Sequence, residues 1–359
     1  MAKVRARGEA IRRFILEHVE RHPRDICRTT AEAFGITRQA ANKHLHNLVN
    51  EGALVSEGNT NSSRYKLRPL EQWLRCYSLH PPTAEDVVWR NDIAPQLQAL
   101  PRNVFDIWQH GFTEMFNNAI DHSGGTHVTV HVEKSASATE IWIRDDGVGI
   151  FRKIQEAMHL LDERHAVLEL AKGKLTTDPS RHTGEGIFFS SRMFDDFAIV
   201  SGATHFSHSH GKPEDWIWER ETPRSGTSVV MRLNNHPSRT VAQVFSEYSS
   251  GDERAFTKTV VPVALAKYGQ EQLVSRSQAK RLLGRVDRFK TVILDFDGVP
   301  AIGQAFADEI FRVFRLAHPE VELVPMNAAT DVQEMIVRAL ATVVPPVSET
   351  KARLTSGSD

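Results

Sequence analysis

Glu114-Met-Phe-Asn-Asn118, followed by Asp145-Asp-Gly147-Val-Gly149, decides the reading of this 359-residue chain. Glu114 and Asn118 are spaced i and i+4, so a helix places them on one face. An acid and an amide side by side can hold a water and a divalent cation together. Asp145 falls at the end of an expected strand, where its carboxylate can accept a hydrogen bond from an exocyclic amine. Gly147 and Gly149 let a ligand approach the backbone closely. The pattern points to a nucleotide site. No G-x-x-x-x-G-K-[ST] run occurs, which excludes a P-loop.

The surrounding elements follow from periodicity. A helix is expected from about Trp108 to His122, ending at Ser123-Gly-Gly125. Val128, Val130 and Val132, then Ile141 and Ile143, alternate as in a half-buried hairpin, giving strands Thr126–Glu133 and Glu140–Arg144. A long stretch from Phe151 to His182 then meets Thr183-Gly184-Glu-Gly186. Strands Phe197–Val200 and Ser228–Leu233 follow, the second right after Gly226-Thr227. His205-x-x-His208-x-His210 falls in an expected loop. With no Cys or carboxylate beside it, it reads as surface histidines rather than a metal site.

Glu114-x-x-x-Asn118, Asp145-x-Gly147-x-Gly149, Gly184-x-Gly186 and Gly226-Thr227, in this order, resemble the GHKL ATPase superfamily. That group includes gyrase B subunits, MutL, the large heat-shock chaperone, histidine kinases and anti-sigma-factor kinases. The resemblance implies a Bergerat-type α/β sandwich, a mixed sheet with helices on one face, over residues 109–234. It implies ATP and Mg2+ as cofactors. Asn118 would coordinate the Mg2+ that bridges the phosphates, and Asp145 would read the adenine amine. Gly147 and Gly149 would let the purine pack on the backbone. Gly184 and Gly186 would begin a helix whose N–H groups face the phosphates, and Thr227 would assist at the adenine. Glu114 is the implied catalytic residue, orienting or deprotonating the attacking water. Residues from about 151 to 183 would form the lid. Lys172, Lys174, Arg181 and His182 lie on it, with Lys174 carried as a cofactor contact. Asp121 is counted with the cofactor contacts too, since Asn118-Ala-Ile-Asp-His122 looks most like the kinase branches. Glu114 is compatible with hydrolysis and with phosphotransfer. No phosphoacceptor box precedes His110, so histidine autokinase activity is not expected.

Residues 1–68 hold 13 basic and 7 acidic residues, whereas the remainder holds 31 and 38. A basic first domain on an acidic body suggests an anionic partner for that domain. Ile11, Phe14, Ile15 and Val19 form a helical stripe ending near Pro23. Asp25 is positioned to cap a second helix, Gly35 to make a tight turn and Thr37 to cap a third helix. Strands Ala53–Ser56 and Arg64–Leu67 would flank the loop Gly58–Ser63. This resembles the winged helix-turn-helix family of bacterial regulators. The resemblance implies double-stranded DNA as partner, with Arg38, Gln39, Asn42 and Lys43 available to the major groove and Arg64 and Lys66 to phosphate. An interaction or dimerisation module is the alternative. Residues 69–108, broken by five prolines, read as a helical connector, and 235–255 as a second one.

Residues 256–341 alternate strand and helix as a small α/β unit. Ser275-Arg-Ser277-Gln-Ala-Lys-Arg-Leu-Leu283 and Val292-Ile-Leu-Asp-Phe-Asp-Gly-Val299, continuing to Phe311, resemble a STAS-like family of unassigned function. The turn Gly303-Gln304-Ala305-Phe306 carries no hydroxyl where phosphorylatable STAS domains carry one. A protein partner through 256–341 is therefore expected rather than a phospho-acceptor. Asp295 with Asp297, and Asp308 with Glu309, read as solvated or capping acids. The polar tail 342–359 is expected to be disordered.

The fold class is thus α/β multidomain: winged helix, ATP-binding sandwich, STAS-like unit. No run of 18 apolar residues predicts a membrane span. Cys27 and Cys76 have no metal-ligand spacing and suggest reduced thiols and a cytoplasmic setting. The functional expectation is an ATP-binding regulator, a slow Mg-dependent ATPase whose lid closure controls DNA or partner binding, with a homodimer as a candidate assembly. The alternatives are a serine/threonine kinase of the anti-sigma-factor type acting on a separate STAS partner, and a nucleotide-gated DNA-binding scaffold without turnover.

Overall fold

The structure, a computed structural model, describes residues 2–58, 64–175, 184–211, 216–249, 255–267 and 271–341. Arg181, His182, the tip of the loop between the first two strands and the tail expected to be disordered lie outside these residues. Internal contacts divide the chain into two compact units. One comprises Met1–Cys76, Thr129–Trp142 and Arg232–Pro237; the other comprises Tyr77–Val128, Ile143–Met231 and Ser238–Asp359.

The first unit opens with helices Ala2–His18, Ile26–Phe34 and Arg38–Asn50, then strands Leu54–Glu57 and Arg64–Leu67. The strands pair antiparallel, with Leu54 opposite Leu67. Ile11, Ile15, Val19, Ile26, Leu45, Leu48 and Leu54 form one buried cluster, as their helical spacing requires. Gly35 ends the second helix in the left-handed conformation at φ 58°. Thr37 caps the third helix through its side chain, which accepts from the Ala40 N–H. Asp25 does not cap the second helix. Its carboxylate is taken instead by His22 and Arg28.

A five-stranded sheet has the order Glu71–Ser78, His127–Lys134, Ala138–Asp145, Trp216–Asn234, Asp196–Ser209. The edge strand Glu71–Ser78 corrects the expectation that 69–108 is a helical connector. Only its later part is helical, over Glu85–Val88, Trp89–Ile93 and Ala94–Leu97. The strand was illegible because an edge strand buries little: Leu74 is 67% exposed. Backbone and charge pairing hold it. The Leu70 N–H donates to the Lys134 carbonyl, Lys134 bridges Glu71 at 2.8 Å, and Gln72 donates to Glu133 at 2.9 Å.

The long helix runs Arg102–His122, starting directly after Pro101 and six residues earlier than expected. Trp108, Phe112 and Phe116 are fully buried along it. Strand Asp196–Ser209 extends well past the expected Val200, so His205 and His208 lie on a strand and not in a loop. Polar residues at alternate positions disguised it, although Thr204 and Phe206 point inward.

The C-terminal unit holds three parallel strands, Lys258–Pro262, Thr291–Asp295 and Glu322–Met326, with Thr291–Asp295 in the centre. Parallel pairing demands crossovers, supplied by helix Arg276–Leu283 and the helical run from Gln304 to Ala317. The first strand stops at Pro262, four residues short of the expected Ala266. Proline has no N–H for the ladder, and Val263–Ala266 turns as a 3-10 helix. No helix among the described residues is long and apolar enough to cross a membrane.

Candidate functional site: a nucleotide cavity between the long helix and the sheet

A cavity of about 270 Å³ brings together Glu114, Asn118, Asp145, Gly184, Gly186 and Thr227. Glu114 and Asn118 come from one face of helix Arg102–His122, Asp145 from the end of strand Ala138–Asp145, and Thr227 from strand Trp216–Asn234. Gly186 is the first residue of helix Gly186–Met193. Its N-terminal N–H groups therefore stand at the cavity, where backbone donors and the helix dipole favour an anion.

Asp145 is buried and its Oδ1 accepts two backbone bonds, from Gly147 N at 2.9 Å and Thr227 N at 3.1 Å. Both bonds use one oxygen, so Oδ2 is available to a donor from the cavity. Burial raises the Asp145 pKa, opposed by the two N–H bonds to the charged form. The Thr227 hydroxyl oxygen accepts from Ile150 N at 3.0 Å, and its own proton remains available to a ligand. Strand and loop are thereby locked around the carboxylate.

Glycine is required sterically at 147, and at 186 it lets Glu114 keep its position. A Cβ at Gly147 would lie 2.1 Å from the Ser123 carbonyl oxygen, and one at Gly186 would lie 1.9 Å from Glu114 Oε2. The first holds the strand end against the helix terminus. The second brings the acid up to the backbone where the helix begins.

Other expected contacts fall elsewhere. Asp121 is exposed and does not line the cavity: it lies about one turn beyond Asn118, toward the helix end. Lys174 does not line it either: its ammonium donates to the Arg288 carbonyl at 3.0 Å and lies 4.6 Å from the Phe289 ring centroid. Gly149, at φ 93°, packs against Ser201 beside the cavity. Lys153 went unnoticed in the sequence and lines the cavity, donating to the His122 carbonyl at 2.7 Å. Ile150, Lys153 and Ile154 share one helix face by i, i+3, i+4 spacing, which is the signal that was there to find.

The donor set suits Mg2+ held chiefly by phosphate oxygens and water. Such a site needs one or two protein oxygens, and the Asn118 amide supplies one. Away from the cavity, Arg38, Gln39, Asn42 and Lys43 are exposed on helix Arg38–Asn50, as is Arg64 on its strand. Lys66 is engaged, 2.6 Å from Glu57 and 3.6 Å from Glu133.

Residues 105–237 match the model of the histidine kinase-, DNA gyrase B- and HSP90-like ATPase family, a span that encloses every cavity box. Residues 278–333 match that of a STAS-like domain of unknown function. No curated protein matches the chain. The chain therefore carries a histidine kinase-, DNA gyrase B- and HSP90-like ATPase domain, followed by a STAS-like domain of unknown function.

Proposed function

We propose that this protein is an ATP-binding regulator that hydrolyses ATP slowly, with nucleotide state controlling DNA or partner binding by the flanking domains. The observation that carries the reading is the convergence of Glu114, Asn118, Asp145 and Gly186 on one cavity. Asp145 selects adenine by accepting from its amine. Asn118 would hold the cation that accompanies the phosphates, which would neutralise part of their charge. The helix beginning at Gly186 directs its N–H groups to the same phosphates. Glu114 positions and deprotonates the attacking water. A regulatory use is supported by ion pairs between residues 1–68 and the sheet strands. Glu20 pairs with Arg232, and Lys66 with Glu133.

The deciding experiment measures ATP binding and phosphate release for wild type and Glu114→Ala. Binding retained with release abolished supports hydrolysis by Glu114. Release at the wild-type rate in the variant removes its assigned role. Transfer of label to a protein instead of release would select the kinase reading.

A further inference from the structure

We infer that the STAS-like domain acts in cis as a clamp on the wall of the nucleotide cavity, so that nucleotide binding and the docking of this domain are thermodynamically coupled. The inference rests on the ATP-site reading above and assigns the C-terminal domain its role toward that site.

Helix Glu163–Lys172 faces two ways. Leu170 lines the cavity, whereas Lys172, two residues later, is 1% exposed and buried against the C-terminal domain. The Lys172 ammonium donates to the carbonyls of Gly284 at 2.8 Å and Arg281 at 3.1 Å, and pairs with Glu169 at 2.6 Å. All three ammonium hydrogens thus have acceptors, and two of these acceptors come from the C-terminal domain. The Lys172 carbonyl accepts from the Thr259 hydroxyl at 2.6 Å. Arg285 completes the cluster, reaching Glu169 at 3.3 Å and the Lys174 carbonyl.

The chain just beyond the helix is held on the same side. Lys174 binds the Arg288 carbonyl, and a Cβ at Gly173 would meet the Phe256 ring at 2.7 Å. Phe256 also packs on Phe188 of the helix that starts at Gly186, with ring centroids 4.6 Å apart. One residue past Lys174, the Leu175 N–H donates to the Gly184 carbonyl at 3.1 Å, and both residues line the cavity. The phosphate end of the cavity is therefore bounded by backbone that the C-terminal domain holds in place.

A buried, fully satisfied lysine cluster is not an incidental contact. Separating the two surfaces breaks the Lys172, Thr259 and Arg285 hydrogen bonds together and leaves Lys172 only Glu169 and water, which makes the docked state discrete rather than graded. A wall that is either docked or released gives nucleotide two affinities, and reciprocity then makes nucleotide strengthen docking.

The test uses the full chain as wild type, Arg285→Ala, Thr259→Val and Asp145→Asn. Thr259→Val removes one hydrogen bond with nearly unchanged shape, and so remains informative if Arg285→Ala fails to fold. Hydrogen exchange is followed with and without ATP and Mg2+, and ATP affinity is measured by titration. In Arg285→Ala and Thr259→Val, amides of 163–172 are expected to exchange faster and ATP affinity to fall about five- to tenfold. In wild type, ATP should slow exchange in 276–283. Asp145→Asn should lose ATP affinity, with exchange in 163–172 unchanged in the absence of nucleotide. Faster exchange with unaltered ATP affinity overturns the coupling, as does unaltered exchange in both clamp variants. Wild type that binds no ATP sinks the nucleotide reading itself, an outcome distinct from either.

Discussion

Glu114 and Gly186 sit so close that a Cβ on residue 186 would lie 1.9 Å from the Glu114 carboxylate. The acid therefore lies directly against the start of helix Gly186–Met193, and residue 186 must lack a side chain for Glu114 to stay where it is. Gly186→Ala should push the carboxylate aside by an ångström or more. A displacement of that size at a reacting centre lowers turnover by about 100-fold. Phosphate release by Gly186→Ala should then resemble that of Glu114→Ala, while Asp145 keeps its adenine contact and ATP binding persists. Wild-type turnover in Gly186→Ala would show that the carboxylate does not act from this position.

Asp145→Asn separates recognition from folding. The Asn oxygen can still accept from Gly147 N and Thr227 N, so the loop stays folded. The second atom becomes an N–H2 that meets the adenine amine donor to donor. Loss of about 1–3 kcal/mol is expected, or roughly 5- to 150-fold in ATP affinity. The wild-type pH profile adds a check. Burial raises the Asp145 pKa, so affinity should fall as pH drops through a value higher than that of an exposed aspartate. Titration calorimetry across the acid range, on both proteins, reads out the two effects.

The four boxes were legible because each depends on a residue type that backbone geometry or chemistry demands: glycine where a Cβ would clash, a carboxylate where two N–H groups converge. The edge strand Glu71–Ser78 was not, because exposed Leu70 and Leu74 break the alternation that marks a half-buried strand. The same limit hid the length of strand Asp196–Ser209. The sequence position of Lys174 suggests a cofactor contact, and only packing against Phe289 shows that it turns to the C-terminal domain. Long, flexible side chains carry no period, so their partners have to be seen.

Glu140 should make the stability of the first unit depend on pH. Burial pushes its carboxyl up to about 7, with Arg232 opposing and Glu133 adding to the rise; Lys66 and Arg64 also oppose it. A carboxyl raised in the folded state binds a proton that the unfolded chain releases near 4.5. Its contribution is therefore full below pH 4.5 and is lost as pH rises to about 7. Glu140→Gln removes this dependence and should be the more stable protein at pH 8, by on the order of 1–2 kcal/mol. Denaturant midpoints at pH 5 and pH 8 for both proteins decide it. Parallel pH dependence in the two would mean that another group titrates.

DNA binding, where it occurs, should discriminate between two lysines of the same N-terminal domain. Lys43 is exposed on the helix Arg38–Asn50, whereas Lys66 lies 2.6 Å from Glu57 and 3.6 Å from Glu133. A lysine already matched by two carboxylates gains little from phosphate, because forming the new contact means giving up the old ones. Lys43→Ala removes a cation unengaged among the described residues from the helix expected to face the groove. It should weaken binding and reduce the slope of log affinity against log salt by about 1. Lys66→Ala should leave that slope within experimental error. Asn42→Ala, at an exposed position of the same helix, should instead lower the preference for specific sequence with the salt slope unchanged. Fluorescence anisotropy at several salt concentrations separates the three. An equal loss of slope in Lys43→Ala and Lys66→Ala would show that the strand Arg64–Leu67 meets the phosphates as well as the helix, despite the Lys66 ion pairs.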